Sequence, residues 1–362
     1  MKQYAEFLPR VVKRSGMPLY LLLYVTGRCN LKCEHCFYWR ELNKGKQELS
    51  LEEMEKISKT MGPLLWLALT GGEPFLRNDL AKIVRLWVKN NQVRHISIPT
   101  NGVFTDRIVK QVKQMLKENP KTTFSITVSC DGLEKMHDKI RGMKGAFKAM
   151  KRTVRELKKL KRGYKNLGVG MVMTFTRTNQ EVFGEAYEHL RDKLKPDEIF
   201  INLIRGEPRK PKTAKVDMGL YKRAVEQKMK DVKTGKLPYY GFGLMGKVAA
   251  ARDGVMHDKI VKYKQGKDRY LACLAGRLSV VISEEGVVYP CELLSKKLGS
   301  IRDYDYDFKK LWEDKRAREV RQWIWKTRCA CTHECFLTTN ILFSPQTYTE
   351  LLMQMLGVHG KR

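Results

Sequence analysis

Cys29-Asn30-Leu31-Lys32-Cys33-Glu34-His35-Cys36 sets three thiols on one short loop at the end of an apolar run, residues 19–25. A 4Fe-4S cube needs a thiolate for each iron when it only carries electrons, so a loop with three close cysteines leaves the fourth iron to a ligand that is not protein. Zinc is the competing occupant. It takes four ligands, usually from paired CxxC hooks, and His35 would have to strain back between Cys33 and Cys36 to be the fourth.

Further along, Leu67-Ala68-Leu69-Thr70-Gly71-Gly72-Glu73-Pro74 reads as an apolar strand running into two glycines and a carboxylate. The glycines admit a close backbone approach, and the carboxylate can accept bonds from an ammonium group. Alone, Gly-Gly is an ordinary turn. After a CxxxCxxC loop the pair of motifs resembles the radical S-adenosylmethionine (radical SAM) enzymes, whose open iron chelates the amino and carboxylate groups of SAM.

The resemblance implies that Cys29, Cys33 and Cys36 hold the SAM-binding 4Fe-4S cluster and that Gly71, Gly72, Glu73 and Pro74 form the turn that meets the SAM amino group. It extends to Asn101 after strand three, to Ser129 and Asp131 after strand four for hydroxyl or carboxylate contacts, and to Arg141 for the SAM carboxylate. Asp131-Gly132 and Arg141-Gly142 also read as simple turns. Where the family commonly has an aromatic between the second and third cysteines, this chain has His35, with Phe37, Tyr38 and Trp39 just after; Phe37 is taken as the cofactor-facing ring.

The 362 residues, 43% of them hydrophobic, suffice for one large domain and a smaller one. The longest apolar run has strand length and falls far short of a membrane span. Residues 1–16 are basic without an apolar segment or cleavage site, so the protein is expected in the cytoplasm. Nine cysteines, an odd count gathered toward two ends, suit metal ligation better than disulfides. Lys and Arg number 70 against 39 Asp and Glu, a net charge of +31. That excess attracts anionic partners without choosing among a phospholipid surface, an acidic peptide and a nucleic acid; a lysine-rich bias that keeps the protein soluble accounts for it equally well.

From Pro18 strand-like and helix-like segments alternate, which predicts βα units on a parallel sheet. Strands are expected at 19–25, 64–69, 94–99, 122–128, 167–175 and 198–204. Helices are expected at 50–61, 78–89, 105–118, 147–161 and 180–194, the first opened by a Ser50–Glu53 capping box. The fold class is α/β: a partial (βα)6 TIM-type barrel with every motif at a strand's carboxyl end, where such folds act, and a small C-terminal β-hairpin/helix iron-sulfur domain. The expected divisions are a basic segment (1–17), the barrel (18–205), a basic helical linker (206–265), an auxiliary-cluster domain (266–340) and a packing tail (341–362). Within the linker, 218–233 reads as a helix, while Gly241, Gly243 and Gly246 mark a bend rather than a nucleotide loop.

Cys273, Cys291, Cys329, Cys331 and Cys335 form a second group. Two β-rich runs around Ser283-Glu284-Glu285-Gly286 make a hairpin that carries Cys273 and Cys291 to one side, and a helix over 308–326 delivers the others. The group resembles the twitch and SPASM extensions of radical SAM enzymes. Five cysteines imply one auxiliary 4Fe-4S cluster closed by four of them, with Cys329, Cys331 and Cys335 undecided and zinc as the alternative metal. Cys130 is expected as a packed residue, and His333 as an exposed loop residue, with metal ligand as the alternative.

What the resemblance implies is reductive cleavage of SAM to a 5′-deoxyadenosyl radical, which takes a hydrogen atom from a peptide, lipid or sugar-type metabolite. An electron donor such as a flavodoxin or ferredoxin is expected, as is an anionic substrate or peripheral membrane-surface contact. With few residues ahead of strand one, no attached peptide-recognition domain is expected. The competing reading is a non-catalytic iron-sulfur or zinc protein on nucleic acid, which has no use for Gly71-Gly72-Glu73.

Overall fold

Near-continuous apolar runs build most of the strands, while two of them, at residues 95–100 and 123–129, alternate buried apolar with half-buried, mostly small residues. The computed structural model describes residues 6–13, 16–238, 244–267 and 271–356. In chain order its first part is α1 (Leu8–Lys13), β1 (Tyr20–Thr26), α2 (Leu51–Met61), β2 (Trp66–Gly71), α3 (Leu80–Asn91), β3 (His95–Thr100), α4 (Thr105–Glu118), β4 (Thr123–Ser129), α5 (Glu134–Arg141), α6 (Ala146–Lys161), β5 (Leu167–Phe175), α7 (Phe183–His189) and β6 (Glu198–Leu203). β1 to β6 run parallel, each beside the next. They form the wall of a partial TIM-type barrel.

On the outer side of that wall Leu21, Leu23, Leu67, Ile96, Ile98, Ile126 and Val128 join the buried core with the helices. The alternate positions behave differently. Ser97 pairs with Ser125 in register and Pro99 with Thr127, and these inward residues are only half-buried. A closed TIM barrel fills its lumen with bulky branched side chains; here small polar groups leave room inside.

The capping box at α2 is formed: Ser50 Oγ accepts from Glu53 N at 3.2 Å and Glu53 Oε2 from Ser50 N at 2.8 Å. Its apolar stripe, Met54, Ile57 and Met61, is buried.

The second part holds α8 (Met218–Lys233), α9 (Leu244–Lys264), β7 (Ser279–Ile282), β8 (Val287–Tyr289), β9 (Gly299–Ser300), α10 (Phe308–Glu313), α11 (Lys315–Lys326), α12 (Glu334–Leu342) and α13 (Tyr348–Met355). β7 lies parallel to β1, Leu23 opposite Ile282, and β8 and β9 follow antiparallel. The hairpin thus prolongs the barrel's own sheet, whose order is β6-β5-β4-β3-β2-β1-β7-β8-β9.

Three features depart from the sequence reading. The helix expected over 308–326 is two, because Asp314 leaves the helical backbone and its carboxylate caps α11 through Arg316 N at 2.8 Å. α5 was hidden among turn-forming residues. α9 has no apolar stripe; it packs against α8, α12 and α13 and buries Asp253 on Lys228 at 2.8 Å. Gly246 lies in the first turn of α9, so it marks no bend there, while Gly241 and Gly243 lie outside the described residues. Among the described residues no helix is long and apolar enough to cross a membrane.

Candidate active site

β1 delivers the cysteine loop and β2 the Gly-Gly turn, and the two are packed backbone to backbone. Gly72 N donates to Thr26 O and Glu73 N to Arg28 O, both at 2.8 Å. A Cβ on Gly71 would stand 2.4 Å from Thr26 O, and one on Gly72 2.1 Å from Arg28 O. Gly71 also has φ +115°, which L side chains rarely adopt. The glycines therefore serve first to let this turn clamp the entrance of the cysteine loop.

Glu73 is buried beneath the turn. Its carboxylate accepts from Thr100 Oγ1 at 2.8 Å, Asn101 N at 2.7 Å and Phe75 N at 3.2 Å. Burial lifts it to about 7 against those donors. A carboxylate has about four lone-pair sites, so room remains for one further donor. Asn101 holds the loop from the other side through Nδ2 to Asn30 Oδ1 at 2.8 Å.

Cys29, Cys33 and Cys36 face one cavity together with Phe37, Gly71, Gly72, Glu73, Asn101, Ser129 and Arg141. Pro74 and Asp131 are not on its wall. Pro74 opens the buried turn after Glu73. Asp131 stands behind Arg141, whose Nη2 is 2.6 Å from Asp131 Oδ2, and its Oδ1 accepts from Thr174 N at 2.9 Å. Arg141 Nη1 reaches Cys33 Sγ at 3.7 Å, so a buried guanidinium stands beside one thiol of the loop. Burial nevertheless leaves Cys33 raised, Cys29 at about 12 and Cys36 at about 11. These thiols stay protonated until a cationic centre arrives to offset their charge. His35 is half-buried, pushed down to about 4 by desolvation, with Nε2 3.9 Å from Asp131.

Zn–S bonds of about 2.3 Å hold thiolates about 3.8 Å apart. Among the described residues, the trio of His, Cys, Asp or Glu atoms drawn within 4.8 Å of one another is Glu292, His333 and Cys335. The three thiols of the 29–36 loop are not all drawn together to that distance; three thiols on one open cavity fit a cube with one iron left free.

The second cysteine group converges in part. Cys273 and Cys329 share a hydrogen bond, which lowers Cys329 to about 7, and Cys331 lies close enough for its charge to act on Cys273 and Cys291. Four thiols thus gather under β7 and β8. Cys335 packs on the same cluster as Cys273, Cys291 and Cys329 and also lies beside Tyr20, His333 and Glu292. His333 is fully buried rather than exposed, because Glu292 holds its Nε2. Cys130 is buried and donates to Gly132 O at 3.3 Å.

The sequence reading missed several cavity residues. Tyr24, Asn202, Arg205 and Glu292 line it, and Tyr24 OH donates to Glu292 at 2.5 Å. Burial opposes ionisation of Glu292, yet His333, Arg205 and Tyr24 together hold it at about 2. The available signal was its position directly after Cys291 in a hairpin expected to carry two of the second-group cysteines.

A half-open parallel barrel with three thiols and a Gly-Gly-Glu turn around one cavity defines a cluster-and-SAM class of site. The Radical SAM superfamily model matches residues 23–207 and the SPASM iron-sulfur cluster-binding domain residues 273–336. The chain belongs to the radical SAM superfamily. Its cofactors are a 4Fe-4S cluster with SAM and, in the C-terminal part, auxiliary iron-sulfur; the non-catalytic, nucleic-acid reading falls away.

The chain is 30% identical over 185 residues to Fe-coproporphyrin III synthase of Methanosarcina barkeri (strain Fusaro / DSM 804), which is 50% of this chain and 43% of that one. It is 24% identical over 353 residues to the antilisterial bacteriocin subtilosin biosynthesis protein AlbA of Bacillus subtilis (strain 168), covering 88% and 66%. The chain therefore spans less than two thirds of the length of either relative. In fold it is similar to native anSMEcpe with bound AdoMet, with a TM-score of 0.62 and 21% identity over 95% of this chain and 100% of that one.

Proposed function

We propose that the chain is a radical SAM enzyme that abstracts a hydrogen atom from a peptide or small metabolite. The observation that carries this reading is the shared cavity of Cys29, Cys33 and Cys36 with Gly71, Gly72 and Glu73. A 4Fe-4S cluster on those thiols, when bound, supplies one electron that cleaves SAM to methionine and the hydrogen-abstracting 5′-deoxyadenosyl radical.

The chain's own residues do the positioning. Glu73, with one acceptor site left, and the Gly-Gly backbone receive the SAM amino group; Arg141 and Ser129 receive its carboxylate and hydroxyls. Asp131 acts through Arg141, whose orientation it sets at 2.6 Å. Asn101 braces the cysteine loop, and Phe37 offers a ring to the adenine. Pro74 fixes the exit of the turn. Small inward side chains on β3 and β4 leave space for substrate, and closing that space around it excludes water. Cys273, Cys291, Cys329 and Cys331 are the auxiliary ligands, with Cys335 held in reserve by His333. An electron-donor protein of flavodoxin or ferredoxin type has to reach the 29–36 loop.

The test is anaerobic reconstitution with iron and sulfide, then dithionite and SAM. 5′-Deoxyadenosine should accumulate, and Cys33→Ala should abolish it. A reconstituted wild-type chain that binds iron but releases no 5′-deoxyadenosine would refute the reading.

A further inference from the structure

Two tryptophans of α11 stand in solvent, Trp325 at 51% and Trp323 at 36% exposure, on either side of the buried Ile324. A contiguous apolar patch left in water and rimmed by polar groups marks an interaction face. Each ring already carries a cation: Arg277 lies 5.6 Å from the centre of Trp325 and Lys296 Nζ 4.7 Å from Trp323. Lys315, Arg316, Arg318 and Lys326 are exposed along the same helix.

The surface does not end at α11. Arg277 sits in the turn between Leu274 and Leu278, and that turn packs on Phe7 of the segment leading into α1. While Phe7 is buried there, Leu8 and Val12, four residues apart, point outward at 60% and 71% exposure. Trp312 Nε1 donates to Gly16 O at 2.8 Å, which ties the α10–α11 corner to the same region.

We propose that α1, the 274–278 turn and the outer side of α11 form a membrane-binding face for anionic phospholipid. Tryptophan seats its amphipathic ring at headgroup level, flanking Lys and Arg meet the phosphates, and aliphatic side chains enter the acyl boundary. Stable peripheral binding takes both an apolar and a basic signal, and this face has both. An acidic peptide or a nucleic acid would satisfy the cations but leave Leu8 and Val12 in water. The face also lies where docking is harmless to catalysis: Leu19, Leu65 and Leu278, which pack with Phe7, precede β1, β2 and β7. This part of the face is at the amino ends of the strands, opposite the cavity, while α11 turns Ile324 inward onto the cluster around Cys273 and Cys291 and its tryptophans outward. The inference stands apart from the catalytic reading.

The full chain, reconstituted, should co-sediment with phosphatidylcholine vesicles containing phosphatidylglycerol but not with phosphatidylcholine alone, and its tryptophan emission should shift to the blue. W323S/W325S should weaken binding by about tenfold or more, and L8S/V12S, which leaves α11 untouched, should weaken it independently. R277Q/K296Q should flatten its salt dependence. All three variants should still release 5′-deoxyadenosine at the wild-type rate, a readout that also separates this proposal from the catalytic one. Wild-type chain that ignores phosphatidylglycerol vesicles, or variants that bind as well as wild type, would overturn the proposal. So would tryptophan-dependent binding of an oligonucleotide or a polyglutamate peptide in the absence of vesicle binding.

Discussion

Replacing Gly72 by alanine tests whether the Gly-Gly turn clamps the cysteine loop. The added Cβ would sit 2.1 Å from Arg28 O and 2.6 Å from Arg28 C. Both are backbone atoms, so no side chain can swing aside. To restore ordinary contact the Arg28 carbonyl must retreat by about 1.3 Å, and Cys29 follows it in the chain. The retreat also breaks the Glu73 N to Arg28 O bond. Overpacking costs about 1–3 kcal/mol and the lost hydrogen bond about 1 kcal/mol, for a total near 2–4 kcal/mol and a melting temperature several degrees lower. Displacing one of three cluster thiols by this much should also lower iron retention and 5′-deoxyadenosine formation. The control is Gly184→Ala in α7, where a Cβ meets nothing within 4 Å. The assay is iron per chain after anaerobic reconstitution, alongside a thermal melt. If Gly72→Ala retained iron, melted like Gly184→Ala and released 5′-deoxyadenosine normally, the clamp would be wrong.

Cys291→Ala should remove the auxiliary iron while Cys130→Ala leaves iron per chain unchanged, since Cys130 is buried with its thiol donated to Gly132 O. Asp131→Asn strands the buried Arg141 guanidinium without its counter-charge and should cost about 3–5 kcal/mol in chemical denaturation; a loss below about 1 kcal/mol would show that Asp131 is not what stabilises the buried guanidinium. Burial, then repulsion from Asp253, lifts Glu198 from 4.5 to about 8 against Lys228 and Arg252. The native state holds a proton that the unfolded chain releases, so this group's contribution is full below pH ~4.5 and declines by about 1.4 kcal/mol per unit as pH rises toward ~8. Glu198→Gln should flatten that slope in urea melts, and an unaltered slope would assign it to other groups.

The barrel was legible because its strands are short apolar runs with motifs at their ends; Leu167–Phe175 and Thr105–Glu118 appear with the expected limits. The cavity was legible for the same reason, since sequence neighbours such as Cys33 and Cys36 must be spatial neighbours. Long-range partners were not. Nothing local to Glu292 announces Tyr24 or His333, and the burial of His333 arises from a carboxylate distant in the chain. The close packing of Gly72 on Arg28, set by the pairing of β1 with β2, was not legible from the sequence either. α9 escaped because a helix covered on several sides needs no stripe.

The placement of β7 against β1 has a consequence for how the chain can be divided. A half barrel ending at β6 would leave the free rim of β1 open, a row of unmet amide and carbonyl groups ready to recruit another copy. Here the strand bearing the first cysteine loop is sealed by the one that leads into the auxiliary cysteines, so trimming the carboxyl third would turn the catalytic half into a self-associating fragment. The two metal-bearing parts are welded along a seam, and neither is a detachable accessory of the other.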